Sequence, residues 1–183
     1  MKDTSYIVQA GMLAAIYAGA TLVCNLVLPT LSWGPVQIRL SEAICVVALI
    51  YPSAKLGLPL GCAIANLINI VIAGTGILGL LDVAFGSTAT LLGAIFCWKL
   101  RDKPKLAIFM FVISNCLIVP AYLPILCQWT GFYTIPFTNI SLDGYWIWMY
   151  LFGVASIFIS ESLTLYLLGL PIYKSIHGSH AVF

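Results

Sequence analysis

Charge is what this chain has least of. Of its 183 residues only 8% are Asp, Glu, Lys or Arg, in 8 basic and 6 acidic side chains. A water-exposed surface carries about 25–35% charged residues, so a soluble globular domain is excluded. Catalytic signatures are missing too. No G-x-x-x-x-G-K-[ST] occurs, so the chain by itself does not use ATP through a P-loop, and neither H-E-x-x-H nor G-x-S-x-G offers a membrane hydrolase. The two histidines, His177 and His180, sit near the C-terminus, which leaves the apolar stretches without imidazole. Six cysteines (Cys24, Cys45, Cys62, Cys97, Cys116 and Cys127) are scattered with no C-x-x-C pair and no adjacent histidine. Metal and disulfide chemistry need clustered ligands, so the cysteines read as packing residues, and no metal or cofactor is expected. Inverted repeats, the mark of many secondary carriers, are not visible either.

What is present is hydrophobicity: 62% apolar residues and a mean hydropathy of +1.07. A helix needs about 20 apolar residues to cross a bilayer, and candidate spans run over 5–28, 38–52, 54–73, 77–98, 105–127 and 145–173. The expected fold is an all-α membrane protein, a six-helix transmembrane bundle forming one domain over 1–176, with a short tail over 177–183. The second span is short and starts inside the polar run Gln37-Ile38-Arg39-Leu40-Ser41-Glu42, so it is expected to enter from a structured loop and to be shielded by its neighbours. Ala18-Gly19-Ala20 has the form of a signal-peptide cleavage site. Lys2 is offset by Asp3, however, and the apolar run continues to Leu28, so this segment reads as the first span.

Orientation follows from the basic residues, which are retained on the cytoplasmic side. Lys2, Lys55, Lys99, Arg101, Lys103, Lys105 and Lys174 fall on one side and Arg39 alone on the other, which places both termini inside. The net charge of +2 is thus a topological signature rather than a nucleic-acid footprint. Trp33, Trp129, Trp146 and Trp148 gather at the external ends as an aromatic belt does. Pro120 and Pro124 are expected to interrupt the outer half of the fifth span and to free carbonyls there.

A few polar residues do not serve topology. An ionised side chain at mid-membrane costs at least about 2.5–3.5 kcal/mol, which makes each one a functional candidate. Arg39 and Glu42 are three apart, on one helical face; they form either a structural ion pair or a cavity wall. Asp82 either complements the dipole of the fourth helix or faces a ligand. Glu161 lies about 16 residues, or roughly 24 Å, inside the sixth span, with no cation at that depth. It is protonated, bonded across the bundle, or neutralised by a ligand. Asn66 and Asn69 share a face of the third span, and Asn25 and Asn115 add amides; such groups read heterocycle edges or glue helices together. With Trp33, Tyr133, Trp146 and Trp148 they describe an outward-facing pocket for a flat ring. In the first span Ala10, Ala14 and Ala18 form a small-residue stripe beside a second one, Gly11, Ala15 and Gly19; either intramolecular packing or docking of another membrane subunit explains it.

The runs Gln37-Ile38-Arg39-Leu40-Ser41-Glu42-Ala43, Gly57-Leu58-Pro59-Leu60-Gly61-Cys62-Ala63-Ile64-Ala65-Asn66-Leu67 and Leu81-Asp82-Val83-Ala84-Phe85-Gly86-Ser87-Thr88-Ala89-Thr90-Leu91-Leu92 resemble signatures of the QueT family. Its members are substrate-binding S components of energy-coupling factor (ECF) transporters, a class of ABC importers. The resemblance implies a bacterial plasma-membrane protein that captures a queuosine precursor, a 7-deazaguanine base, from outside. It also implies delivery through a transmembrane coupling subunit and two cytoplasmic ATPases, so that the chain itself is not an enzyme. The Ala10, Ala14 and Ala18 stripe resembles the family's docking motif. On this resemblance Glu42 or Asp82 reads one polar end of the ligand and Glu161 the other, Asn66 and Asn69 meet the ring edge, and Trp33 or Trp146 stacks. An S component for another planar vitamin, or a small self-sufficient carrier, remain the alternatives.

Overall fold

The computed structural model describes residues 2–32, 37, 39–131, 134–135, 138–141 and 146–180. They are almost wholly helical. Helix α1 covers Lys2–Val27 and is followed by a short helical turn, Pro29–Ser32. Helix α2, Leu40–Leu49, has 3-10 geometry throughout. Helix α3 is Ala54–Ala73. Helix α4 comprises the 3-10 turn Gly76–Gly79, the π segment Asp82–Gly86 and the α-helix Ser87–Lys99. Helix α5 is Pro104–Thr130. Helix α6 comprises Trp146–Leu163, the π segment Thr164–Gly169 and Leu170–His180. The tail expected from 177 is thus helical as far as His180.

Five of these helices are long and apolar enough to cross a membrane, and α2 is not. Its ten residues rise about 2.0 Å each, well short of a hydrocarbon core of about 30 Å. The expectation of six full spans is corrected to five plus one short inserted helix. Eight of the ten α2 residues are buried.

Helices α1, α3, α4, α5 and α6 pack in that order, each on the next, and α2 fits between α1, α4 and the second half of α6. Around α2 lies the main core, which includes Tyr17, Cys45, Val46, Leu58, Phe111 and Leu165. The periphery is inverted relative to a soluble protein. Val71, Ile77, Leu26 and Leu167 are exposed, whereas Thr21, Asn25, Asn66, Thr90 and Asn115 are buried. That arrangement suits a lipid solvent, in which polar groups must find partners inside the bundle. The chain is a multi-pass membrane protein.

Two features of the helices decide what they touch. Gly57 and Gly61 let α3 lie directly on α1: a Cβ on Gly57 would come within 2.6 Å of the Ala10 carbonyl oxygen, and one on Gly61 within 2.6 Å of that of Ala14. Pro120 and Pro124 do not interrupt α5, which runs unbroken to Thr130 and stops at Gly131, in the left-handed conformation at φ 69°. Both prolines are fully buried, and Gly153 of α6 faces the Pro120 ring, leaving 3.0 Å to an added Cβ. Close packing against a neighbour is what makes an intramembrane proline tolerable.

Candidate functional site

The start of α2 carries two of the candidate charges. Arg39 precedes the helix in extended conformation, at φ −100° and ψ 94°, so the one-face rule for residues three apart does not reach it. It pairs with Asp82 instead of Glu42, with Nη2 3.7 Å from Asp82 Oδ2. Glu42 is held from elsewhere. The Tyr17 hydroxyl donates to its Oε1 at 2.6 Å, and the Cys45 thiol donates to Oε2 at 3.2 Å. One residue earlier, Ser41 accepts from the Thr21 hydroxyl at 2.8 Å. Through these bonds α1 fixes the orientation of the entrance to α2.

Asp82 opens the π segment of α4 and is buried. A π turn places an extra residue in the helix and re-aims the side chains around it. Here the carboxylate turns inward, away from a capping role: the Tyr122 hydroxyl of α5 donates to Oδ1 at 2.6 Å. The Asn66 amide of α3 donates to the Asp82 carbonyl at 2.9 Å. Gly86 closes the segment where these groups meet. A Cβ there would stand 3.1 Å from Asn66 Nδ2 and 3.2 Å from both Asp82 Oδ1 and the Tyr122 hydroxyl, so glycine keeps the space open. Ser87, Thr88 and Thr90 spend their hydroxyls on carbonyls of their own helix.

Glu161 completes the cluster from α6. Glu42 and Arg39 act on it through charge and the Asn115 side chain lies beside its carboxyl group, near hydrogen-bonding range, yet its Oε2 is buried without a hydrogen-bond partner of full geometry. Arg39 Nε and Asn115 Nδ2 share that condition. A mostly enclosed cavity is lined by Gln37, Arg39, Glu42, Gly86, Asn115, Val119, Ile157 and Glu161. In this closed form it has room for no more than about one water molecule. Two carboxyl groups, Glu42 and Glu161, share the cavity wall with one guanidinium, Arg39, which pairs with a third carboxyl, Asp82, and among the described residues no group of His, Cys, Asp and Glu side chains clusters as metal ligands. The surplus of acid in a low-dielectric bundle favours a cationic guest.

The other candidates fall elsewhere. Asn69 accepts from Asn25 Nδ2 at 3.2 Å, a bond between α3 and α1 rather than part of the cavity wall. Asn66 lies beside the cavity and reaches it only through Asp82 and Gly86. Trp146 stacks on Tyr150 with ring centroids 5.2 Å apart, is exposed, and does not line the cavity. Trp33 and Tyr133 lie outside the described residues. Ala10 and Ala14 are buried against α3 and Ala18 is buried as well, which matches intramolecular packing, one of the two readings of that stripe; the neighbouring Gly11, Ala15 and Gly19 are the exposed stripe. Sequence reasoning missed Tyr17, Tyr122 and Gly86. For Tyr17 a signal existed: it follows Ala10 and Ala14 on the same buried face of α1.

A sequence model of one protein family, described as QueT transporter, matches residues 7–178. No curated protein and no solved structure matches the chain.

Proposed function

This chain belongs to the QueT transporter family, and from that premise we propose that it is the substrate-capturing S component of an ECF importer for queuosine precursors. The observation that carries the reading is the buried cavity between α2, α4, α5 and α6, lined by the carboxyl groups of Glu42 and Glu161 and by the Arg39 guanidinium, which pairs with a third carboxyl, Asp82. A 7-deazaguanine precursor bearing an aminomethyl group supplies a positive charge near neutral pH and a polar ring edge, the two things this cavity lacks. The closed cavity is too narrow for such a ring, so capture requires the lining side chains to part. Lid-like closure of this kind excludes water and strengthens each polar contact.

The chain has no P-loop, so the energy for release comes from partners, a transmembrane coupling subunit and two cytoplasmic ATPases. Gly11, Ala15 and Gly19 offer the coupling subunit a smooth exposed strip on α1, with open space beside both glycines. Both termini face the cytoplasm in the bacterial plasma membrane, in keeping with the basic residues at that side.

Calorimetric titration of the purified chain tests the capture reading directly. Pre-queuosine base and queuine are expected to bind tightly, with guanine, thiamine and riboflavin as controls. Selective binding of a control vitamin would replace the substrate. No binding of any of them to folded protein would overturn the reading.

A further inference from the structure

Resting on that capture reading, we propose that Arg39, Asn115 and Glu161 together read a lactam edge, a carbonyl beside a ring N–H, on the captured heterocycle. The four buried side-chain atoms without a hydrogen-bond partner among the described residues are Asn25 Oδ1, Arg39 Nε, Asn115 Nδ2 and Glu161 Oε2. The first sits on Asn25, which bonds Asn69 through Nδ2 rather than Oδ1 and does not line the cavity. The other three belong to residues that line one cavity. They come from three separate elements, the entrance to α2, the middle of α5 and the middle of α6, so no single helix explains their convergence.

Their neighbours already hold protein partners, with lone pairs left for the cationic substituent. Both oxygens of Glu42 accept bonds, from Tyr17 and Cys45, and both oxygens of Asp82 are engaged, by Tyr122 and Arg39. Among the described lining residues, the buried atoms left unpartnered are two donors, the guanidinium Nε–H and the amide N–H, and one carboxyl acceptor. A guest that satisfies all three presents two acceptor lone pairs and one donor. A carbonyl oxygen has two lone pairs and takes both protein donors, while the adjacent ring N–H gives its proton's hydrogen bond to Glu161. The amino-imine edge of an adenine-type ring has one ring lone pair and surplus N–H groups, so it leaves at least one protein donor buried and unpaired. Sites built on such bonds discriminate strongly because the mismatched guest strands polar groups.

The test titrates the full chain in detergent with 7-aminomethyl-7-deazaguanine and with its 6-amino counterpart, which keeps the ring and the cation but replaces the lactam. The lactam ring is expected to bind tighter by on the order of 100-fold. Asn115→Leu, which deletes one donor, is expected to narrow that preference by about tenfold or more; if it does not yield folded protein, Asn115→Ala carries the same comparison. Equal binding of the two rings, the result if the three atoms serve only a buried water, overturns the assignment and leaves capture of a deazapurine standing. An unchanged preference in the folded Asn115 variant does the same. Binding of neither ring by folded wild-type protein overturns both readings.

Discussion

Arg39 Nη2 stands 3.7 Å from Asp82 Oδ2, an ion pair that ties the extended residue at the start of α2 to the π segment of α4. Removing one member of a buried pair strands the other, at about 3–5 kcal/mol. Arg39→Met and Asp82→Leu made singly are therefore expected to lower the unfolding midpoint in detergent sharply. The double variant is expected to be more stable than either single one. A double variant less stable than both would show that the two side chains do not depend on each other.

The hydroxyls of Tyr17 and Tyr122 each donate to a buried carboxyl oxygen, at 2.6 Å in both cases. Hydrogen bonds to charged groups contribute about 1.5–3 kcal/mol each, so Tyr17→Phe and Tyr122→Phe are expected to destabilise by about that amount in equilibrium or thermal unfolding. Combined, the two losses should be nearly additive, since the bonds serve different carboxylates on different helices.

Gly61→Ala forces a methyl group to within 2.6 Å of the Ala14 carbonyl oxygen and 3.1 Å of Tyr17 Cβ. Both are backbone or first side-chain atoms, which cannot swing aside. Overpacking of this kind costs about 1–3 kcal/mol, read as a lower unfolding midpoint. Gly11→Ala, with nothing within 4 Å of its added Cβ, is expected to leave the midpoint unchanged.

Topology follows from where the basic residues lie. In a variant without native cysteines, a cysteine at Asp102 is expected to react with an impermeant thiol reagent only after the cells are opened. One at Asn139 is expected to react from outside. The reverse pattern would invert the orientation and place the entrance to α2 on the cytoplasmic side.

Ala15→Leu puts a bulky side chain on the exposed strip of α1 without touching the cavity. It is expected to reduce co-purification with the proposed coupling subunit while leaving ligand affinity in the isolated chain unchanged. Loss of ligand binding together with complex formation would instead place α1's outer face in the capture site.

The ionisable members of the site were legible because a charge inside an apolar run has few innocent explanations, and Arg39, Glu42, Asp82 and Glu161 all stand in or beside one place. Their pairing was not legible. Arg39 and Glu42 are three apart, but Arg39 is extended and outside the helix, so a spacing rule that presumes helix on both residues pointed to the wrong partner. Pro120 and Pro124 misled in the same way: local propensity forecast a break, and packing against α6 overrode it. The two small stripes of α1 look alike in sequence, and only the facing pair Gly57 and Gly61, one helical turn apart on α3, tells which is buried. The short second span was legible as an anomaly of length, but not its 3-10 winding, because a run of ten residues in that geometry is rare enough that no local pattern announces it.

That winding has a mechanical consequence. A residue advances about 2.0 Å in a 3-10 helix and about 1.5 Å in an α-helix, so the ten residues of α2 are stretched by about 5 Å relative to their α form. Rewinding them would draw the end that bears Glu42 toward Leu49 by that distance with no covalent change. Gly169 sits so close to α2 that an added Cβ would lie 2.6 Å from Val46 Cγ1 and 3.2 Å from the Ala43 carbonyl oxygen, so such a stroke would be felt along the last turns of α6. The shortest of the six numbered helices is therefore one with travel of its own.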